Sequence, residues 1–177
     1  MRKVFLGFFV ASLIFVLLLF WKDHHLSQKD ETIPTVQDQQ FLAKIKKDIS
    51  FDKEIVLSVG PYEGLKNISL NNGVVISVDF ESPAYIVIKG STYYILIDYD
   101  FYMEITQEER KYVIAHEIGH AYYNLFSGIE AQKKADMFTL QYQYAKPGVI
   151  IDFMKKYCKS QEECQERINN VLSFKQG

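Results

Sequence analysis

The chain has 177 residues, 20 basic and 22 acidic side chains, and a formal net charge of -2. That length suits one domain with an appendage and is enough to bury a core, while the near-balanced charge leaves no electrostatic footprint for nucleic acid or another polyanion. The 12 tyrosines and 13 phenylalanines read as core and strand filling rather than as an aromatic binding platform.

Residues Val4 to Trp21 run apolar without a charge. As a helix rising about 1.5 Å per residue, the run measures about 27 Å, enough for the hydrocarbon layer of a bilayer. Arg2 and Lys3 precede it, and Trp21 closes it at interfacial depth. A cleaved signal peptide needs small residues at its end, and Leu-Leu-Leu-Phe-Trp-Lys-Asp-His-His offers none. Residues 1–22 therefore read as an uncleaved, single-pass transmembrane anchor. The basic pair favours a cytoplasmic N-terminus, with Lys22 weakening the asymmetry, so the rest of the chain is expected on the exoplasmic (periplasmic or extracellular) side. Residues 23–35 are polar and read as a linker, in which His24 and His25 are solvated rather than metal-binding.

The expected domain occupies 36–177. Phe41, Leu42, Ile45 and Ile49 fall on one face of a helix over 36–49. Strand chemistry follows at Ile55–Val59, closed by Gly60-Pro61, and again at Val74–Phe80 after the turn Asn71-Asn72-Gly73. Ala84–Ile88 and Tyr93–Ile97 flank Lys89-Gly90-Ser91-Thr92 and read as a hairpin. Asn67-Ile68-Ser69 matches a glycosylation acceptor, which has meaning only in a secreted eukaryotic protein.

Thr106-Gln107-Glu108-Glu109 is a capping box. It opens a helix expected to run to about Phe126 and to end at Ser127-Gly128. Inside that helix lies Val113-Ile114-Ala115-His116-Glu117-Ile118-Gly119-His120-Ala121-Tyr122. Residues four apart share a helix face, so His116 and His120 can aim two imidazoles at one ion, with Glu117 beside them to take a proton from an activated water. Glu117 is the single charged side chain between Val113 and Ala121, and Gly119 leaves room for another backbone. Two histidines on an exposed helix face would not need such apolar flanks. A second helix is expected from Ile129 to Tyr144, stopped by Lys146-Pro147-Gly148.

The segment resembles the extended signature of the zincin metallopeptidases, whose apolar positions around His-Glu-x-x-His it matches over about ten residues. The resemblance implies a Zn2+ cofactor, His116 and His120 as ligands, and Glu117 as general base and acid. Ala135-Asp136, Met137-Phe138 and Arg167-Ile168 are similar, more weakly, to the C-terminal half of the M48-type gluzincins, membrane-associated peptidases with a Glu-x-x-Ala-Asp second motif. Where that motif carries its ligand glutamate, this chain has Gln132. In the family an extended substrate pairs with the strand nearest the active-site helix, a place the Ala84–Ile97 hairpin would fill. A plain structural hairpin is the alternative. Tyr122 and Tyr123 lie past the ligands on the same helix, and neither is assigned to oxyanion stabilisation.

The third ligand must come from elsewhere. Folding the two helices about Ser127-Gly128 sets Asp136, eight residues after Gly128, opposite His120, eight before it. Asp136 is therefore expected as the direct ligand. Glu130 is the alternative, although it lies about 9 Å further along the axis, far beyond the roughly 2 Å of a zinc–carboxylate bond. A water or another group is the third possibility, and in a counter-reading Asp136 orients His116 by hydrogen bond.

Cys158 and Cys164 would sit about 240° apart on one continuous helix, too far round to bond. However, Ser160-Gln161-Glu162-Glu163 is a second capping box, which starts a new helix between them and brings them within reach. A disulfide is expected in an exoplasmic domain.

The expected fold is thus α+β: a zincin-like domain with a small sheet, an active-site helix and a second ligand-bearing helix, behind a transmembrane helix. The expected function is that of a membrane-anchored zinc metalloendopeptidase acting on a peptide or protein. The alternative is a non-catalytic, zincin-like envelope protein for binding or assembly, in which Glu117 would have no use.

Overall fold

The computed structural model describes residues 33–70, 72–77 and 82–174. Its elements run α1 (Val36–Asp48), β1 (Glu54–Gly60), β2 (Asn67–Ser69), β3 (Val75–Ser77), β4 (Ala84–Lys89), β5 (Thr92–Asp98), α2 (Tyr99–Glu104), α3 (Gln107–Tyr123), α4 (Ile129–Gln141), α5 (Pro147–Tyr157) and α6 (Gln161–Ser173). The architecture is mixed α+β. The apolar segment 4–21 and the pair His24-His25 lie outside the described residues. Among the described residues no helix is long and apolar enough to cross a membrane.

The most apolar strand takes the centre of the main sheet, whose order is β1-β5-β4. β1 joins β5 in parallel, from Glu54↔Thr92 to Gly60↔Asp98, and β4 joins it antiparallel, from Ala84↔Ile97 to Lys89↔Thr92. A strand covered on both faces has no use for alternation, and Ile95, Leu96 and Ile97 are all fully buried. Tyr94 and Leu96 join Tyr62, Ile68, Leu70 and Ile76 in one cluster beneath the β2–β3 ribbon. Ile95 and Ile97 take the opposite face by the two-residue period, and their register partners Ile86 and Ala84 go with them. The hairpin turns at Gly90, whose φ of +64° suits a residue without Cβ.

Asp98 ends β5 and starts α2. Its carboxylate accepts from Asp100 N and Phe101 N at the helix start, and from Tyr62 N and Glu63 N at 3.0 Å each. One buried acid thereby ties the exit of the central strand to the loop after β1. Asp38 does the same for α1: it accepts from Tyr102 OH and lies 3.5 Å from Arg110 Nε on α3.

Several local expectations differ from what forms. Asn67-Ile68-Ser69 is β2, paired antiparallel to β3. The strand expected over 74–80 is Val75–Ser77, with Asn71 and 78–80 outside the described residues. α4 ends at Gln141 rather than Tyr144, and Gln143 turns into the left-handed region at φ 57°. Lys146-Pro147-Gly148 opens α5 instead of merely stopping α4, because proline at a first helical position loses no hydrogen bond there. Ser160 caps α6, and Cys158 and Cys164 form a disulfide across the α5–α6 turn.

Candidate active site

Helix α3 opens with the capping box, Glu109 N to Thr106 Oγ1 at 3.3 Å and Thr106 N to Glu109 Oε2 at 2.7 Å. From Tyr112 to Ala121 every residue is buried, so this stretch is enclosed all round rather than amphipathic. Its closest neighbour is α4. A Cβ placed on Gly119 would stand 2.9 Å from Ala135 Cα and 3.2 Å from Phe138 Cβ. Only glycine permits that approach, and the approach builds the site. His116 and His120 lie three before and one after Gly119, just as Gln132 and Asp136 lie three before and one after Ala135.

The two pairs interlock around the His116 ring. Asp136 sits on its Nδ1 side, with Oδ1 2.8 Å from that nitrogen, a charge contact in which the nitrogen has no in-line hydrogen-bond partner. Gln132 sits on the other side, with Oε1 2.9 Å from Nε2. The same Nε2 is 3.1 Å from His120 Nε2, and His120 Nδ1 lies 2.6 Å from the Leu125 carbonyl oxygen. The Leu125 carbonyl can only accept, so His120 carries its proton on Nδ1. The Asp136 carboxylate favours the same tautomer in His116. In that tautomer both Nε2 atoms, 3.1 Å apart, would be acceptors, the form in which two imidazoles can share a cation.

Asp136 is fully buried and heavily engaged. Tyr112 OH donates to Oδ1 at 2.7 Å, while Arg167 Nη2 and Nε donate to Oδ1 and Oδ2 at 2.9 and 2.8 Å. Burial alone would raise its pKa, but the close contact with His116 and the charge and hydrogen bonds of Arg167 outweigh it and hold the group at about 2. Asp136, expected as the direct ligand, thus lies on the Nδ1 side of His116, away from the two Nε2 atoms that face each other. Counting residues about Gly128 located a Cα, whereas the meeting point of the two histidines is set by the reach of their side chains toward the loop. Glu130 pairs with Lys133 at 2.5 Å on a side chain 71% exposed to solvent.

Glu117 is buried, and burial raises its pKa against the opposing pull of His116 and Arg167. The Ile86 backbone N–H, on β4, also donates to it. His120 is pushed down to about 4, by burial first and then by the charge of His116, which leaves it neutral near pH 7. His116, Glu117 and His120 open onto a cleft of about 600 Å³ also lined by the β4 residues Ala84 to Ile86 and by Phe153, Tyr157 and Cys158. β4 is an edge strand among the described residues, paired on one side by β5. Tyr112 and the Leu125 carbonyl were not singled out from sequence. A tyrosine four residues before His116, on its own helix face, was the available signal for the first. Nothing in the residue type marks a backbone carbonyl.

Among the described residues no three His, Cys, Asp or Glu side chains converge as a metal-ligand set. The donors that do converge are two imidazoles and one amide oxygen. Donors about 2.0–2.1 Å from a tetrahedral zinc stand about 3.3 Å apart, and the spacings of 3.1 and 2.9 Å around His116 Nε2 are close to that. The set fits a small divalent cation.

No protein-family profile and no curated protein sequence matches the chain. Among solved structures it is similar to the crystal structure of the metallopeptidase zymogen of Methanocaldococcus jannaschii jannalysin, at 15% identity and a TM-score of 0.40, over 76% of this chain and 93% of that one. A likeness this distant establishes neither a shared fold nor a shared chemistry.

Proposed function

We propose that this chain is a zinc-dependent peptidase, held at a membrane by its apolar segment 4–21 and working on the exoplasmic side. The observation that carries the reading is the pair of imidazoles: buried, 3.1 Å apart through Nε2, and each backed by an acceptor at or near Nδ1. Beside them in the cleft is a buried carboxylate, Glu117, that takes no part in an ion pair. The disulfide suits an oxidising compartment, which supports the exoplasmic placement.

His116 and His120 hold the cation through Nε2, and Asp136 and the Leu125 carbonyl keep those rings in the tautomer that binds. When bound, zinc supplies a Lewis acid that polarises the scissile carbonyl and acidifies water. Glu117 takes the proton from the attacking water and hands it to the leaving amine. Burial makes it a stronger base than a surface glutamate. An extended peptide lies along the edge of β4, so the backbone of Ala84 and Tyr85 fixes its register beside Glu117, which the Ile86 N–H already holds.

The test is Glu117→Gln, which keeps size and shape but removes the base. Zinc should stay bound while peptide turnover falls by about a hundredfold or more. A variant that cleaves as fast as the parent sinks the mechanism. The non-catalytic alternative is separated by zinc analysis joined to a peptide-cleavage assay with and without chelator: zinc without cleavage would favour it.

A further inference from the structure

Resting on the metal-peptidase reading above, we infer that Gln132 is the third protein donor, through Oε1, and that the protein therefore offers its cation only neutral donors. Both acids that could compete are committed elsewhere. A carboxylate has about four lone-pair sites, and Asp136 already meets Tyr112 OH, two Arg167 nitrogens and His116 Nδ1. Turning it toward the two Nε2 atoms would break both close bonds to Arg167, whose side chain is 12% exposed, and leave that charge only the longer 3.7 Å contact with Glu163. Glu130 faces solvent and is bound to Lys133. Gln132 needs no rearrangement: it lines the cleft, and its amide oxygen already lies 2.9 Å from the His116 Nε2 that faces His120. With the protons on the two Nδ1 atoms, the form that binds a cation, the His120 Nε2 and the Gln132 amide oxygen would both stand as acceptors beside the His116 Nε2, at 3.1 and 2.9 Å. An amide turned the other way would be a plain hydrogen-bond donor to His116, and the experiment separates the two.

A neutral third donor changes what the site does. Two imidazoles and an amide leave the full double charge of the cation uncompensated by its protein ligands, whereas a carboxylate would cancel half. The cation is then held less tightly and acts as a stronger Lewis acid on whatever shares it. Glu117, next to His116 in the chain and lining the cleft, remains outside the described ion pairs and is left for proton transfer.

The measurement is zinc affinity of the full-length chain, purified in detergent, stripped of metal and titrated against a competing chromophoric chelator. Gln132→Glu is isosteric and should tighten binding by about tenfold or more, while Gln132→Leu, of similar volume, should weaken it by at least about tenfold, the lower end of what even outer-sphere losses cost. Glu130→Gln should stay within about twofold. Cobalt in place of zinc gives a second readout, since the visible bands of the Gln132→Glu protein should shift from those of the parent as a charged ligand replaces a neutral one. Circular dichroism checks the fold of each variant. Parent-like affinity in Gln132→Leu, or loss of metal in Glu130→Gln, overturns the assignment of Gln132 while leaving a metal site in place. Failure of all four proteins, Gln132→Glu included, to bind zinc overturns the metal reading itself. Tight zinc binding with the expected order but no peptide cleavage leaves Gln132 as ligand and removes only the peptidase.

Discussion

The two walls that support the cleft are held by different physics. On the sheet side, β5 is buried through Ile95, Leu96 and Ile97, and its strength is the apolar area removed from water. On the helical side, the α3–α4 contact encloses Asp136, Arg167, Tyr112 and His116, and its order comes from charge and hydrogen bonds at defined angles. Apolar packing tolerates small shifts and has no preferred orientation. A buried carboxylate with four donors around it fixes an imidazole to one tautomer and one direction, at the risk of a large loss if one member is removed. The proposed metal site would need direction more than area, and the buried charge lies on that wall.

The contrast breaks first at Asp136. Asp136→Ala leaves the buried Arg167 with only the part-exposed Glu163, 3.7 Å away, and should cost about 3 kcal/mol in chemical unfolding, with zinc affinity falling as His116 loses its support. Ile95→Ala on the other wall should cost about 2–5 kcal/mol through its cavity, but the zinc affinity per folded molecule should stay close to the parent's. If both variants lose zinc alike, the walls are not separate in the way described.

Acid sharpens the comparison. The Asp136 pKa is depressed from 3.8 to about 2 in the fold, so its contribution is complete above the unfolded value and is lost as pH falls through about 4 to about 2. With 1.36 kcal/mol per unit, the loss is about 2 kcal/mol. His120 acts in the same direction earlier in the metal-free protein: its folded pKa of about 4 lies below 6.5, so the unfolded chain takes up its proton first and stability falls between these values. Asp136→Asn should flatten the lower step of a stability–pH profile and leave the upper one. An unchanged lower step would mean that other carboxylates carry acid unfolding.

How far this division can be read from sequence follows from the same physics. The apolar runs of β1, β4 and β5 are visible because strand burial is a matter of residue type along a short window. The α3 start and the pair His116 and His120 are visible because capping boxes and i, i+4 spacing are local. Gly119 could be anticipated as a point of close approach for the same reason. The place of Asp136 beside His116 is the counter-reading of the sequence, but its bonds to Tyr112 and Arg167 were not legible, since Arg167 arrives from a helix 31 residues later. The place of Gln132 depends on where side chains, not Cα atoms, meet across two helices. α2 escaped notice because Tyr99–Glu104 is one short turn-and-a-half whose cap, Asp98, reads as the end of a strand.

The disulfide lies between the two regimes. Cys158 lines the cleft, and the bond closes the turn between α5 and α6, the helix that brings Arg167 to Asp136. The loop is short, so reduction should lower stability by only about 2 kcal/mol. Mass spectrometry of the unreduced protein should recover the Cys158–Cys164 peptide pair; alkylation of both thiols without reduction would count against it. If the ion pair with Asp136 holds α6 without help, the reduced protein keeps its zinc affinity. A fall in affinity on reduction would make the bond part of the polar wall.

The smallest effect expected is at the start of α3. Thr106 satisfies the Glu109 N–H, and Glu109 satisfies the Thr106 N–H in return. Thr106→Ala removes one of these bonds and unlocks the other, for about 1 kcal/mol. His116 lies ten residues further on, beyond the first turn, in a stretch buried on every side. Its position is set by Gly119 against Ala135 and by Asp136, not by the helix end. The variant should therefore unfold slightly earlier while zinc affinity and peptide turnover stay at the parent's level. Loss of either, at full folding, would show that the helix start reaches the site, and that local capping as well as the buried charge network orients the imidazoles.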